Sequence, residues 1–312
     1  MIGAVDIGGT KIAVGMVDGA GRVLSRTQAL LEAGLGYPRL LEVMVSMLRE
    51  AEGKAGAKIS GIGIGSTGIV HPLRGEFGDV QFFPQWQGMR PVEDLARNFG
   101  VQVALENDGD AGALAEAAWG AGKGKSRLVY VTIGTGIGGG IILDGNLYRG
   151  VDAAHPELGH HVIDDSGPAC CCGLRGCWET LAAGPAMTAW METRAPADYP
   201  HRNDLSARRI CELARQGDRL ALEAVKQQAY YLGIGLANLI NIFTPDVIVL
   251  AGSVMKSADL FLDSAREVIR QGCRFVPADK TELALASLGP DANLIGAARV
   301  WHHRFGQAAG SR

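Results

Sequence analysis

The chain opens Ile2-Gly3-Ala4-Val5-Asp6-Ile7-Gly8-Gly9-Thr10-Lys11-Ile12-Ala13-Val14-Gly15-Met16-Val17-Asp18-Gly19, and the reading of this stretch decides the fold class. An apolar strand-like run leads to Asp6, a Gly-Gly turn follows, a second apolar run returns, and Asp18-Gly19 turns the chain again. Gly8, Gly9, Thr10 and Lys11 offer phosphate oxygens free N–H groups, a hydroxyl and a cation, and Asp6 offers Mg²⁺ a carboxylate. The Gly-x-x-x-x-Gly-Lys spacing of a P-loop is absent. The pattern returns 126 residues later, where Val131, Ile133, Gly134, Asp144 and Gly145 repeat Val5, Ile7, Gly8, Asp18 and Gly19. The second loop, Gly134-Thr135-Gly136-Ile137-Gly138-Gly139-Gly140, contains a Gly-x-Gly-x-x-Gly match. Strand and turn signals follow it, not the helix of a dinucleotide fingerprint. Read as a duplication, the echo predicts one Gly-rich hairpin per half, the two facing each other around a polyphosphate. Tight hairpins without a ligand are the alternative for either segment alone.

Outward from these hairpins, strands alternate with helices, which predicts an α/β protein. Periodicity places helices over 37–54, 92–99, 108–119, 219–243, 257–271 and 293–304. Strands are expected over 59–64, 101–105, 128–133, 246–250 and 282–286. Asn107 or Asp108 caps the alanine-rich helix, and Thr244-Pro245 stops the long one. Residues 198–203 read as a loop and the last six as disordered. The 312 residues exceed what one core usually fills, so two lobes are expected.

Composition excludes whole classes of function. The chain is 47% hydrophobic and 20% charged, and 30 basic against 33 acidic residues leave a net charge of −3. There is no basic stripe of the kind that grips a nucleic-acid backbone. No apolar run approaches the roughly 18 to 20 residues of a membrane span. The opening strand does not read as a charged leader. A soluble, cytoplasmic protein with no nucleic-acid or membrane partner is the expectation. Glycine is the outlier, 44 of 312, clustered after strand-like segments where it lets backbone approach a ligand.

Three further segments carry chemistry. Leu105-Glu106-Asn107-Asp108-Gly109-Asp110 joins a strand to a helix, where ligands collect in open α/β sheets. The helix N-terminus holds a carboxylate ionised, and an ionised Asp108 can take the proton of a hydroxyl as it attacks phosphorus. Asn107 can hold neighbouring hydroxyls; a plain helix cap is the alternative for the pair. The strongest signal is His155-Pro156-Glu157-Leu158-Gly159-His160-His161 followed by Cys170-Cys171-Cys172-Gly173-Leu174-Arg175-Gly176-Cys177-Trp178-Glu179. Cysteines this close cannot form an ordinary disulfide scaffold. Cys170, Cys172 and Cys177 with His160 make a tetrahedral set suited to a structural Zn²⁺, and Cys171 reads as a bystander. Unmetallated buried thiols are the alternative. Glu157 and Glu179 flank this knuckle, which would fix both carboxylates for a polyol. Trp86 reads as a packing residue, with cover for a sugar ring as the alternative. His71, His201, His302 and His303 read as surface residues, His161 as an exposed residue or a neighbour of the metal shell, and Cys211 and Cys273 as core.

These elements in this order resemble the ROK family of sugar kinases over nearly the whole chain. The resemblance implies an actin-like ATPase (sugar kinase/heat-shock ATPase) fold, two RNase H-like lobes with a cleft between them. The small N-terminal lobe would hold residues 1–118 plus 291–312, and the large lobe 119–290 with the zinc knuckle. The donor would be ATP with Mg²⁺ and the acceptor the 6-hydroxyl of a hexose. Asp6, Gly8, Gly9, Thr10 and Lys11 look like the first phosphate motif, and Gly134, Thr135 and Gly136 like the second. Gly252, within Ala251-Gly252-Ser253, sits where the family binds adenosine. By the same resemblance Asp108 is the catalytic base, and Asn107, Asp108, Glu157, His160 and Glu179 hold sugar hydroxyls. Gly68 lines the sugar cleft, and His160 ligates zinc through its other ring nitrogen. A homodimer is the usual state among such proteins.

Two departures bear on the substrate. Ser66-Thr67-Gly68 stands where many glucokinases of the family have Pro-Gly. Phe82-Phe83-Pro84-Gln85-Trp86 replaces Asn-Leu-Pro-Gly-Trp and lacks the sugar-contacting Asn. Ser-Thr-Gly and Asn-Asp-Gly are similar to what N-acetylmannosamine kinases carry, so glucose and N-acetylmannosamine or N-acetylglucosamine compete, ahead of fructose and allose. The family also includes sugar-responsive repressors with a DNA-binding helix-turn-helix ahead of the first phosphate motif. Here that motif begins at residue 6 and no basic recognition helix appears elsewhere, which disfavours DNA binding. A non-catalytic sugar sensor is disfavoured by Asp108 and the two phosphate loops, and polyphosphate as donor by the lack of a basic channel.

Overall fold

The computed structural model describes residues 1–80 and 83–306. β1 (Ile2–Ile7), β2 (Lys11–Val17) and β3 (Val23–Leu30) form an antiparallel meander. After α1 (Tyr37–Ala55), β4 (Gly61–Ser66) pairs parallel with β1. The short hairpin β5 (Val70–His71) and β6 (Glu76–Phe77) and then α2 (Pro91–Phe99) lead to β7 (Val103–Asn107), parallel to β4. The sheet order is β3-β2-β1-β4-β7, and α3 (Asp108–Trp119) follows directly.

The second half repeats this plan. β8 (Leu128–Ile133), β9 (Ile137–Leu143) and β10 (Asn146–Leu147) come first. Then follow α4 (Trp178–Ala182), α5 (Gly184–Arg194), α6 (Ala207–Arg215) and α7 (Arg219–Phe243). β11 (Val247–Ala251), α8 (Leu262–Gly272), β12 (Glu282–Leu285) and α9 (Ala292–Phe305) complete the chain. The sheet order is β10-β9-β8-β11-β12, with β8, β11 and β12 parallel, the same order as in the first sheet. The sequence echo is therefore an echo of topology.

By compactness the chain divides into a first unit of Met1–Ser126, Gly140–Pro156 and the chain from Ala286 on, and a second of Arg127–Gly139 and Glu157–Leu285. These units are cut elsewhere than the lobes drawn from the sequence, and long-range polar contacts tie two of the segments concerned to the rest of the first. Arg149 pairs with Glu106 and Asp110, and the buried Glu116 carboxylate accepts N–H bonds from Ser287 (3.1 Å) and Leu288 (3.2 Å).

Side-chain alternation in β1 explains the core of the first unit. Val5 and Ile7 pack with Leu40, Met44 and Leu48 of α1, while Ile2 and Ala4 pack with Leu294, Ala297 and Ala298 of α9. In β4, Ile62 and Ile64 join the α1 side, and the intervening glycines lie under α9. A Cβ on Gly63 would overlap the Ala297 carbonyl oxygen, so only glycine admits the helix this closely.

Some elements differ from expectation. The strand expected at 101–105 runs Val103–Asn107, because Ser66 at the end of β4 pairs with Asn107. The helix expected from 257 begins at Leu262, since Val254–Leu260 is a 3-10 segment broken at Ser257. Within the expected loop at 198–203, Arg202 begins a 3-10 turn that ends at Asp204. α4, α5 and α6 were not anticipated. The tail expected to be disordered lies outside the described residues. Among the described residues no helix is long and apolar enough to cross a membrane.

Candidate functional site

In the first unit, parallel pairing aligns the C-terminal ends of β1, β4 and β7. Asp6 sits opposite Gly65, Ile7 opposite Ser66, and Ser66 opposite Asn107. One sheet edge thus gathers Asp6, Ser66-Thr67-Gly68 and Asn107-Asp108, the edge where open α/β sheets bind ligands. The hairpin after Asp6 is tight, with Gly8 N donating to Lys11 O at 2.9 Å. Thr10 and Lys11 stand exposed at its tip.

Asn107 is the N-cap of α3. Its Oδ1 accepts from Gly109 N at 2.8 Å, and its Nδ2 donates to Gly68 O at 3.2 Å. Gly68 is held at φ +78°, where a Cβ would press on the Val80 backbone, so glycine is required. Asp108 is the first residue of the helix, and its Oδ1 accepts from Gly109 N at 2.9 Å. Burial first, then the negative charge of Asp108, pushes the Asp6 carboxyl up to about 7.

The two carboxylates flanking this pair, Glu106 and Asp110, share one guanidinium. Arg149 reaches Glu106 through one nitrogen and Asp110, at 2.6 Å, through the other. Sequence reasoning assigned no role to these three, because the arginine lies 39 and 43 residues from its partners.

In the second unit, Gly134 N donates to Gly136 O at 2.9 Å, and Gly184 N donates to Gly134 O at 2.8 Å. Gly252, at φ +94°, lies against Ile133, where a Cβ would overlap the carbonyl oxygen. Gly134, Thr135, Gly184, Arg208, Ser253 and Lys256 line one cavity of about 840 Å³. The structure thereby brings the second Gly-rich loop and the Gly252 turn to a single concave site of ligand size.

Glu179 stands in the first turn of α4, anchored by its neighbour Trp178, which is buried and donates from Nε1 to Tyr231 O at 3.0 Å. Glu179 Oε2 accepts from Ile137 N at 2.8 Å and fills the space that a side chain on Gly136 would occupy. The 3-10 turn Leu158–His160 rests on Ile137, and Gly159 allows the approach, since a Cβ there would overlap the Ile137 carbonyl. His160 N closes that turn on Glu157 O at 3.1 Å. Glu157, His160 and Glu179 are thus placed by backbone that meets at Ile137.

The knuckle brings its expected donors together. His160, Cys170, Cys172 and Cys177 present ligand atoms that all lie within 4.8 Å of one another. Cys170 Sγ is 3.4 Å from His160 Nδ1, and Cys172 Sγ is 3.5 Å from Cys177 Sγ. Such separations match the edges of a tetrahedron with bonds of about 2.0 to 2.3 Å, so the donor set fits zinc. Nδ1 of His160 faces the thiols, which leaves Nε2 for another partner. Gly173 and Gly176, both at positive φ, turn the loop. A second grouping, His160, Cys171 and Glu179, also falls within 4.8 Å.

Other expectations resolve simply. Trp86 is fully buried, stacked on Phe83 at 4.0 Å with Nε1 donating to Leu35 O at 2.7 Å, so it packs and does not cover a sugar. Phe82, the position of the departure from Asn, lies outside the described residues. Cys211 and Cys273 are core. His201 is exposed as expected, whereas His71, His302 and His303 are half-buried, and burial lowers the pKa of the last two. His161 is also half-buried, with its ring 5.4 Å from Trp178.

A family model described as the ROK family matches residues 2–304. A glucokinase of Thermotoga maritima is 32% identical over 319 residues, covering 97% of each chain. The crystal structure of a ROK family glucokinase from Streptomyces griseus in complex with glucose and AMPPNP is 32% identical. It superposes with a TM-score of 0.78, covering 95% of this chain and 97% of that one. A xylose repressor of Bacillus subtilis is 34% identical over 242 residues, 77% of this chain and 60% of that protein.

Proposed function

The chain belongs to the ROK family, and from that premise we infer that it is an ATP-dependent sugar kinase that phosphorylates the 6-hydroxyl of glucose. The observation that carries the reading is the sheet edge that holds Asp6, Gly68, Asn107 and Asp108 together, with Asp108 at a helix N-terminus. The glucokinase relative and the glucose–AMPPNP complex favour glucose over an N-acetylhexosamine.

Mg²⁺–ATP is the co-substrate. Gly8, Gly9, Thr10 and Lys11 of one hairpin and Gly134, Thr135 and Gly136 of the other contribute N–H groups, hydroxyls and a cation to its phosphates. Gly252 and the cavity beside it take the nucleoside. Asp6 serves the metal of that co-substrate. Asn107, Glu157, His160 and Glu179 hold sugar hydroxyls. Asp108 accepts the proton of the 6-hydroxyl as its oxygen bonds to the γ-phosphorus, the bond to the β-phosphate oxygen breaks, and ADP leaves. Zinc, when bound by His160, Cys170, Cys172 and Cys177, supplies a structural crosslink that fixes the orientation of His160.

The test is ADP release from Mg²⁺–ATP across glucose, mannose, fructose, allose, N-acetylglucosamine and N-acetylmannosamine. Highest turnover on glucose is expected. Turnover confined to N-acetylmannosamine would transfer the assignment to the acetamido sugars. Sugar binding without ADP release would mark a sensor of the kind the repressor relative suggests.

Gly136 gives a sharper check on Glu179. Gly136→Ala would drive a methyl into Glu179 Oε2, and we expect KM for glucose to rise about tenfold or more from the lost orientation, with fold and thermal midpoint retained. An unchanged KM would remove Glu179 from the sugar site.

A further inference from the structure

We propose that Arg149 is a positioning residue for Asp108, acting through the two carboxylates on either side of it. The inference rests on the reading of Asp108 as the base. Glu106 lies near the end of β7, two residues before Asp108, and Asp110 lies in the first turn of α3, two residues after. One guanidinium therefore ties a strand end to a helix start and sets the corner at which Asp108 projects, whereas the Asn107 side chain keeps its own anchors on Gly109 N and Gly68 O. Each arm of the fork takes a different carboxylate, a geometry that the single ammonium of lysine does not reproduce.

The cluster is buried. Asp110 is fully inaccessible, Glu106 is 9% exposed, and the Arg149 side chain is 19% exposed. Among the described residues Asp110 Oδ1 has no hydrogen-bond partner, so its other oxygen and Arg149 carry the whole of its anchoring. Gly140 closes on it, with room for no side chain: a Cβ there would lie 2.8 Å from Asp110 Oδ1. A surface ion pair would be dispensable. A buried fork bridging the residues on both sides of the reacting group controls where that group points.

Displacing a catalytic group by about 1 Å can cost a hundredfold in rate. In the holoenzyme, Arg149→Lys is expected to lower kcat by about 100-fold while KM for glucose and for ATP stays within about threefold. Removal of the guanidinium alone leaves two buried carboxylates uncompensated, so a second variant carries Glu106→Gln, Asp110→Asn and Arg149→Gln together. It is neutral throughout and should keep a near-native thermal midpoint while losing kcat to the same degree.

A double-mutant cycle separates positioning from general stability. Added to Asp108→Asn, Arg149→Lys should cost almost nothing further, because the clamp acts through the group already removed. A kcat within threefold of the parent in both Arg149 variants overturns the proposal, as does a full hundredfold further loss in the Asp108→Asn background. Retained turnover in Asp108→Asn alone would instead refute the base assignment and take the proposal with it. A slow Asp108→Asn beside a fast Arg149→Lys would refute the clamp only.

Discussion

Asp108→Asn is expected to lower kcat by roughly 10² to 10⁴-fold, the range that a general base supplies, while glucose affinity changes by no more than a few-fold. Asparagine is nearly isosteric, and its amide oxygen can keep the acceptor role that Asp108 Oδ1 has toward Gly109 N. Asn107 still caps α3, so the strand-to-helix corner stays folded. What disappears is the capacity to take a proton. Because the substrate hydroxyl must lose its proton as it bonds to phosphorus, the loss falls on turnover and not on binding. Steady-state kinetics with calorimetric glucose titration checks both halves. Turnover within tenfold of the parent would contradict the assignment.

The second large effect is expected at the knuckle. Cys172→Ser, or prolonged chelation, should lower the thermal midpoint by roughly ten degrees and raise KM for glucose at least tenfold. Cys172 is exposed and contributes little packing, so its replacement tests the metal and not a hydrophobic contact. Stability and sugar affinity should fall together because His160 belongs to the donor set and stands in one turn with Glu157. Cys171→Ser separates the two donor groupings: with zinc on the four-donor set both stay near their parent values, and a fall in both would move the metal to His160, Cys171 and Glu179. Metal analysis should find about one zinc per chain in the parent. Zinc-free protein with unchanged midpoint and KM would refute the coupling.

What the sequence made legible was mostly local. The Asp6 to Lys11 turn, the capping Asn107 and the Cys-rich loop each draw their geometry from residues a few positions apart, and the structure places them so. The echo between the two halves was visible because Gly-rich hairpins leave a mark in sequence, and the shared sheet order accounts for it. Long-range pairing was not legible. Gly61 and Gly63 lie in a strand that the sequence predicts, but the cause of their being glycine is α9, more than 220 residues away. Arg149 carried no signal in the sequence, because nothing local to it announces Glu106 and Asp110. α6 was missed for a different reason: its buried face is only Ile210, Cys211, Leu213 and Ala214 within an arginine-rich run, too short a pattern to stand out. Trp86 kept two readings until Phe83 and Leu35 were seen to enclose it.

The most direct test of phosphoryl transfer to the sugar follows the phosphate itself. The protein would be incubated with glucose and Mg²⁺–ATP labelled at the γ-phosphate, and the products separated. The label is predicted to appear in glucose 6-phosphate in step with ADP. Label found only in inorganic phosphate, or retained in ATP at every glucose concentration, would contradict it.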